Sequence, residues 1–123
     1  MVLVDSSIWI DHLRKPILEF YELLERRDVL VHPFLIGEIA MGSLKQRAPL
    51  LQSLSELPMA ILARDEEVLR MVENEALHGL GIGYIDAHLL AATRLTPAAA
   101  LWTRDKRLDL IAEGLSLRYV PGR

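Results

Sequence analysis

The sequence predicts an α/β fold, a three-layer α/β/α sandwich around a mostly parallel sheet. Several short apolar runs, such as Val2-Leu3-Val4 and Val29-Leu30-Val31, have no polar alternation, as in strands buried on both faces. Each is followed by capping or turn residues and then by a segment with apolar residues at helical spacing. Strand and helix signals alternate along all 123 residues, and that alternation implies parallel strands joined by right-handed crossovers.

Taken in order, Val2 to Val4 is the first strand, and Asp5-Ser6-Ser7 supplies the caps of the helix that follows. Ile8, Trp9 and Leu13, then Ile17, Phe20, Tyr21 and Leu24, define two short helices separated by Pro16. Val29 to Val31 is the second strand, His32-Pro33 the turn, and Phe34 to Gly42 a helix with Leu35 and Ile39 on one face. Leu50, Leu51, Leu54 and Leu57 mark a further helix that Pro58 ends, and Met59 to Leu62 is expected as a third strand. Arg64-Asp65 opens a helix through Leu77, which the Gly79, Gly81 and Gly83 cluster breaks. Tyr84 to Arg94 is a nearly apolar helix, and Ala98 to Trp102 the fourth strand. Asp105 to Glu113 is a helix stopped by Gly114, and Leu115 to Val120 is expected as the last strand.

With 51% hydrophobic residues and a net charge of −3, the chain is expected to be one globular domain over residues 1–123. Disorder is excluded, because the apolar fraction is high and the charge balance even. The absence of cysteine excludes disulfides, thiolate zinc sites and cysteine nucleophiles. No stretch approaches the ~20 uncharged residues of a membrane span, and Asp5 interrupts any leader-like run, so a cytoplasmic location is expected. Mild acidity argues against duplex binding by overall charge and leaves a local basic patch available for a phosphate backbone.

Four carboxylates carry the chemistry. Asp5 follows the first strand and Asp105 the fourth, while Glu38 and Asp86 sit inside the apolar helical segments Phe34 to Ala40 and Tyr84 to Arg94. In open α/β sheets ligands bind outside the carboxyl ends of the strands, where Asp5 and Thr103-Arg104-Asp105 stand. Acids gathered in apolar surroundings raise one another's pKa values unless a cation compensates. Their hard oxygen ligands suit Mg²⁺ or Mn²⁺, and such a site supports metal-assisted phosphodiester cleavage. Singly, each acid also has a structural explanation: Asp5 and Asp105 as helix caps, Glu38 and Asp86 as solvated helix residues.

Four segments carry a family resemblance. They are Val2-Leu3-Val4-Asp5-Ser6-Ser7-Ile8-Trp9-Ile10, the Glu38 segment, Gly83-Tyr84-Ile85-Asp86-Ala87-His88-Leu89-Leu90-Ala91-Ala92, and Leu101-Trp102-Thr103-Arg104-Asp105-Lys106-Arg107-Leu108. In this order the chain resembles a PIN domain of the VapC toxin type over essentially its whole length. The resemblance implies a PIN-like sheet and a Mg²⁺- or Mn²⁺-dependent endoribonuclease that is the toxin of a toxin–antitoxin pair. It also implies a cognate antitoxin protein and a homodimer, with structured RNA carrying accessible single-stranded loops as the expected substrate.

Residue by residue, Asp5, Glu38 and Asp86 match the family's acids, and Asp105 the acid of its fourth motif. Asp5 and Asp86 are the primary metal ligands on this reading, with Glu38 and Asp105 as helpers. Thr103 matches the hydroxyl residue of the fourth motif, and Ser7 the small hydroxyl beside the first acid, in supporting roles. The family often carries Asn where this chain has Arg104, so Arg104 and Lys106, which flank a proposed ligand, are the weak candidates for RNA contact. Arg14, Lys15, Lys45, Arg47, Arg94 and Arg107 are also available to dock substrate, although a solvated helix face is the better explanation for most of them. Asp109, one turn beyond Asp105, is a weaker ligand candidate. His12, His32, His78 and His88 lack zinc-type spacing and read as packing or surface residues, while Trp9, Phe20 and Tyr21, which could stack bases or receive an antitoxin segment, read as core by their helical spacing, as does Trp102.

The competing readings are a receiver-like signalling domain, a phosphatase of the haloacid dehalogenase kind, a structure-specific DNA nuclease and a PIN-fold binding domain without activity. A receiver needs grouped acids after its first strand and a lysine near its last, and the segment Leu115 to Val120 has none. The phosphatase needs an acid where Ser7 stands. The DNA nucleases usually need additional acids and longer insertions than this chain has. Retention of all four acids argues against an inactive binding domain.

Overall fold

β-Branched and aliphatic runs free of charge become the sheet. In the computed structural model, which describes residues 1–122, β1 (Val2–Val4), β2 (Val29–Leu30) and β3 (Ala100–Trp102) form one parallel sheet in the order β2-β1-β3. Val2 pairs with Val29 on one side and Ala100 on the other, and Leu3 with Leu30 and Leu101. The helices are α1 (Ser6–Arg14), α2 (Leu18–Glu25), α3 (Pro33–Ala40), α4 (Arg47–Ser55), α5 (Asp65–Asn74), α6 (Tyr84–Leu95) and α7 (Lys106–Gly114). The fold is the α/β sandwich that the alternating pattern predicts.

The two expected outer strands are shorter than the sequence suggests. Of Met59 to Leu62, only Met59 forms a bridge, parallel to Val31, with Val31 N donating to Pro58 O and Ala60 N to Val31 O, both at 2.9 Å. The next ladder donor on that side belongs to residue 33, a proline without an N–H, and α3 begins there. Of Leu115 to Val120, only Arg118 bridges Leu101. Leu115 caps α7 and Ser116 has φ +60°, so the first two expected strand residues finish the helix. Pro121 ends the pairing at the other end by the same loss of a donor.

The core runs on both faces of β1. Leu3, Val4, Ile8, Phe20, Leu35, Ile39, Leu89, Leu90, Leu101 and Leu108 are all completely buried. An aromatic chain, Trp9 to Phe20 to Trp102 to Tyr119, passes through it with ring centroids 4.6, 6.1 and 5.4 Å apart. Trp9, Phe20 and Trp102 are therefore core residues, whereas Tyr21 is exposed. α1 packs on α3, and α6 packs on both α5 and β3. These contacts carry the helices with Glu38 and Asp86 to the edge where β1 and β3 end. Among the described residues, no helix is long and apolar enough to cross a membrane.

Candidate active site

β1 and β3 end side by side, tied by Asp5 N donating to Trp102 O at 2.9 Å. Asp5 occupies the cap position of α1, yet its side chain caps nothing. Its Oδ2 instead accepts from the Thr103 hydroxyl at 2.7 Å and the Ser7 hydroxyl at 2.9 Å. Those hydroxyls are themselves held, since Asp105 N donates to Thr103 Oγ1 and Arg104 N to Ser7 Oγ, at 3.0 and 3.1 Å. Asp5 is only 6% exposed, and with Oδ2 doubly bonded its Oδ1 is left without a protein donor among the described residues. An acid so buried is expensive unless something positive meets that oxygen.

Asp86 lies in the first turn of α6, half-buried, and its one hydrogen bond is a long contact from Gly83 N at 3.4 Å. Burial pushes its carboxyl above the ordinary value; the Gly83 N–H opposes this, and the charges on Asp5 and Asp105 reinforce it. Glu38, exposed on α3, is pushed up by partial desolvation and then by the charges on Asp5 and Asp86. Asp105 is exposed and caps α7, accepting from Leu108 N at 3.0 Å. Asp5, Asp86, Glu38 and Asp105 therefore feel one another across the ends of four elements. Among the described residues, no Lys, Arg or His pairs with any of them.

This donor set fits a hard divalent cation, because Mg²⁺ needs only one or two carboxylates and keeps several waters. It does not form a closed cage: among the described residues, no three acidic or histidine side chains converge as a ready metal-ligand group. Asp5 at the floor and Asp86 on the wall are the buried members, with Glu38 and Asp105 at the rim.

The remaining candidates separate clearly. Arg104 is engaged by Asp11, Nη1 to Oδ2 at 2.7 Å, and Asp109 by Arg118 at 3.0 Å. Neither partner is legible from spacing, since Asp11 is 93 positions from Arg104. Lys106 is exposed and has no ion pair among the described residues. His12 Nδ1 accepts from Ile17 N at 2.9 Å beyond the end of α1, a structural role.

A second polar cluster flanks the first, and sequence reasoning missed it. His32 at the end of β2 caps α3, its Nδ1 accepting from Phe34 N at 3.1 Å, while its buried Nε2 has no partner. Its ring is 6.2 Å from that of His88, which Phe34 and Tyr84 also flank. His88 Nε2 and Tyr84 Oη both meet Asp65 Oδ1, at 3.0 and 2.8 Å. The i,i+4 spacing of Tyr84 and His88 puts both on one face of α6, which is the only local signal for this cluster.

Comparison with known proteins gives the family. The PIN domain family model matches residues 2–114. Ribonuclease VapC32 of Mycobacterium tuberculosis, in strains CDC 1551 / Oshkosh and ATCC 25618 / H37Rv, is 45% identical over 108 residues, covering 88% of this chain and 87% of the relative. The matched region contains every acid of the site, and with identity at this level over nearly the whole length the chain belongs to the PIN-domain family, among its VapC-type members.

Proposed function

We propose that this chain is a Mg²⁺- or Mn²⁺-dependent endoribonuclease of residues 1–123, the toxin of a VapBC-type toxin–antitoxin pair. The observation that carries this reading is the set of four acids around the β1 and β3 ends with no basic partner among the described residues. The named activity of the M. tuberculosis relatives supports RNA as the substrate.

When bound, a divalent cation supplies positive charge that activates water and offsets charge building on the phosphate oxygens. Asp5 and Asp86 are the primary ligands, with Glu38 and Asp105 completing the set from the rim. The Ser7 and Thr103 hydroxyls fix one oxygen of Asp5, so the other faces its task in one orientation. No Ser, Cys or His nucleophile is needed.

The same reading gives the chain two protein partners, a cognate antitoxin and a second copy in a homodimer, and a cytoplasmic place of action. Co-purification with the product of the adjacent reading frame, with inhibition of cleavage, tests the first. The activity itself is tested by incubating the wild-type chain and Asp86→Asn with total cellular RNA in Mg²⁺, Mn²⁺ or EDTA and mapping new ends by sequencing. Discrete metal-dependent cuts that the variant lacks are expected. Absence of cuts together with absence of metal binding would favour an inactive PIN-fold binding domain.

A further inference from the structure

We propose that Arg107 is the side chain that grips the RNA backbone beside the acid cluster, an inference that rests on the ribonuclease reading above. Arg107 lies two residues beyond Asp105 in the first turn of α7. Its side chain crosses to the glycine loop that leads into α6: a Cβ on Gly81 would sit 2.5 Å from Arg107 Nη1 and 2.9 Å from its Cδ. The loop ends at Gly83, whose N–H meets the Asp86 carboxylate. Arg107 therefore spans the two elements that deliver Asp105 and Asp86.

What holds the guanidinium is backbone surface, not an anion. Arg104, Arg118, Arg94 and Arg64 each have a carboxylate partner, whereas among the described residues Arg107 has none, and it is exposed. An arginine with its stem seated and its charge uncommitted has lost side-chain freedom in advance, and its planar fork matches a phosphate. Gly81 suits the seat because its φ of +85° disfavours a side chain there, and a Cβ would force the Arg107 guanidinium to shift from its present place. Substrate phosphates must come near the acids for cleavage, and Arg107 brings an unpaired positive charge to the two elements that carry Asp105 and Asp86.

The test is equilibrium binding of a fluorescently labelled, mixed-sequence single-stranded RNA to the Asp86→Asn chain in EDTA, followed by anisotropy across a salt series. Adding Arg107→Ala should weaken binding several-fold at low salt and reduce the slope of log K against log salt by about 0.7, the loss of one phosphate contact to a single strand. Arg70→Ala, on α5, should leave the slope unchanged. Gly81→Ala should weaken binding while Arg107 is present and have no effect in the Arg107→Ala background, because its effect acts through the seat. Circular dichroism confirms that each variant is folded.

An Arg107→Ala slope equal to that of the parent, with RNA still bound, would overturn the inference while leaving the nuclease reading intact. If the parent binds no RNA and the wild-type chain cuts none with Mg²⁺ or Mn²⁺, both fall together.

Discussion

Two polar clusters sit side by side at the carboxyl edge of the sheet, and they are built on opposite terms. Around His32, His88, Tyr84 and Asp65, polar atoms answer one another and aromatic rings fill the gaps, and among the described residues His32 Nε2 is the one fully buried side-chain atom of the group without a partner. Around Asp5, Glu38, Asp86 and Asp105, charges of one sign are collected; Asp5 is held by two hydroxyls and Asp105 by one backbone N–H. The first cluster joins α3, α5 and α6 and serves the fold. The second costs the fold stability, as sites kept for chemistry commonly do. Substitutions in the two should therefore move activity and stability in different directions.

The largest contrast is expected from Asp86→Asn. Metal-dependent cleavage should fall by more than the roughly 10–100-fold that a residue supporting a ligand costs, since this substitution removes ligand charge itself. Thermal stability should rise, because a carboxyl pushed above its ordinary value by burial and like charge no longer has to ionise in the folded state. Calorimetry beside a cleavage assay reads both; a variant that loses stability would contradict the account of repulsion.

Thr103→Val comes next. It removes the 2.7 Å hydrogen bond to Asp5 at nearly constant volume, so a loss of about 10–100-fold in cleavage is expected, with a weaker metal response. Recovery in Thr103→Ser would tie the effect to the hydroxyl, and an unimpaired valine variant would show that Ser7 alone orients Asp5.

The histidine cluster should reveal itself through pH. Burial, reinforced by the neighbouring His88, lowers His32 from the ordinary value of 6.5 to about 4. The unfolded chain therefore takes up a proton below about pH 6.5 that the folded chain refuses until about pH 4, and folding stability falls as pH drops through that window. Across it the loss amounts to roughly 3 kcal/mol, at about 1.4 kcal/mol per pKa unit. Urea titrations at pH 7 and pH 4 measure it. Glu38 and Asp86 act in the opposite sense, since carboxyls raised in the folded state lend stability as pH falls through their raised values. Asp86→Asn should consequently steepen the acid loss.

The smallest effect is expected from Tyr84→Phe, which removes an exposed hydrogen bond to Asp65. It should leave stability and cleavage both near wild type, because water replaces an exposed hydrogen bond. A large loss of cleavage would mean that the two clusters are not separable.

The part of this architecture that could be read from the sequence was the part written locally. Apolar runs followed by Asp5 and by Thr103-Arg104-Asp105 announce strand ends, and the acids within apolar helices announce a compensating cation. The short outer pairings of Met59 and Arg118 were over-read as strands, although Pro33 and Pro121 already deny the ladder its next donors. What spacing could not show were partnerships between separate segments: Arg104 with Asp11 and His88 with Asp65 across long stretches of chain, and Asp109 with Arg118 beyond the end of α7. Arg107 read as a solvated helix residue for the same reason, because its seat on Gly81 exists only once α7 and the glycine loop meet.

The most direct test of the central claim, that the four acids await a divalent cation, is Mn²⁺ binding followed by electron paramagnetic resonance in the absence of RNA. The wild-type chain should bind Mn²⁺ with an affinity that weakens toward acid pH as Glu38 and Asp86 take up protons, and Asp5→Asn and Asp86→Asn should each bind far more weakly. Equal Mn²⁺ affinity in the wild type and both variants would contradict it.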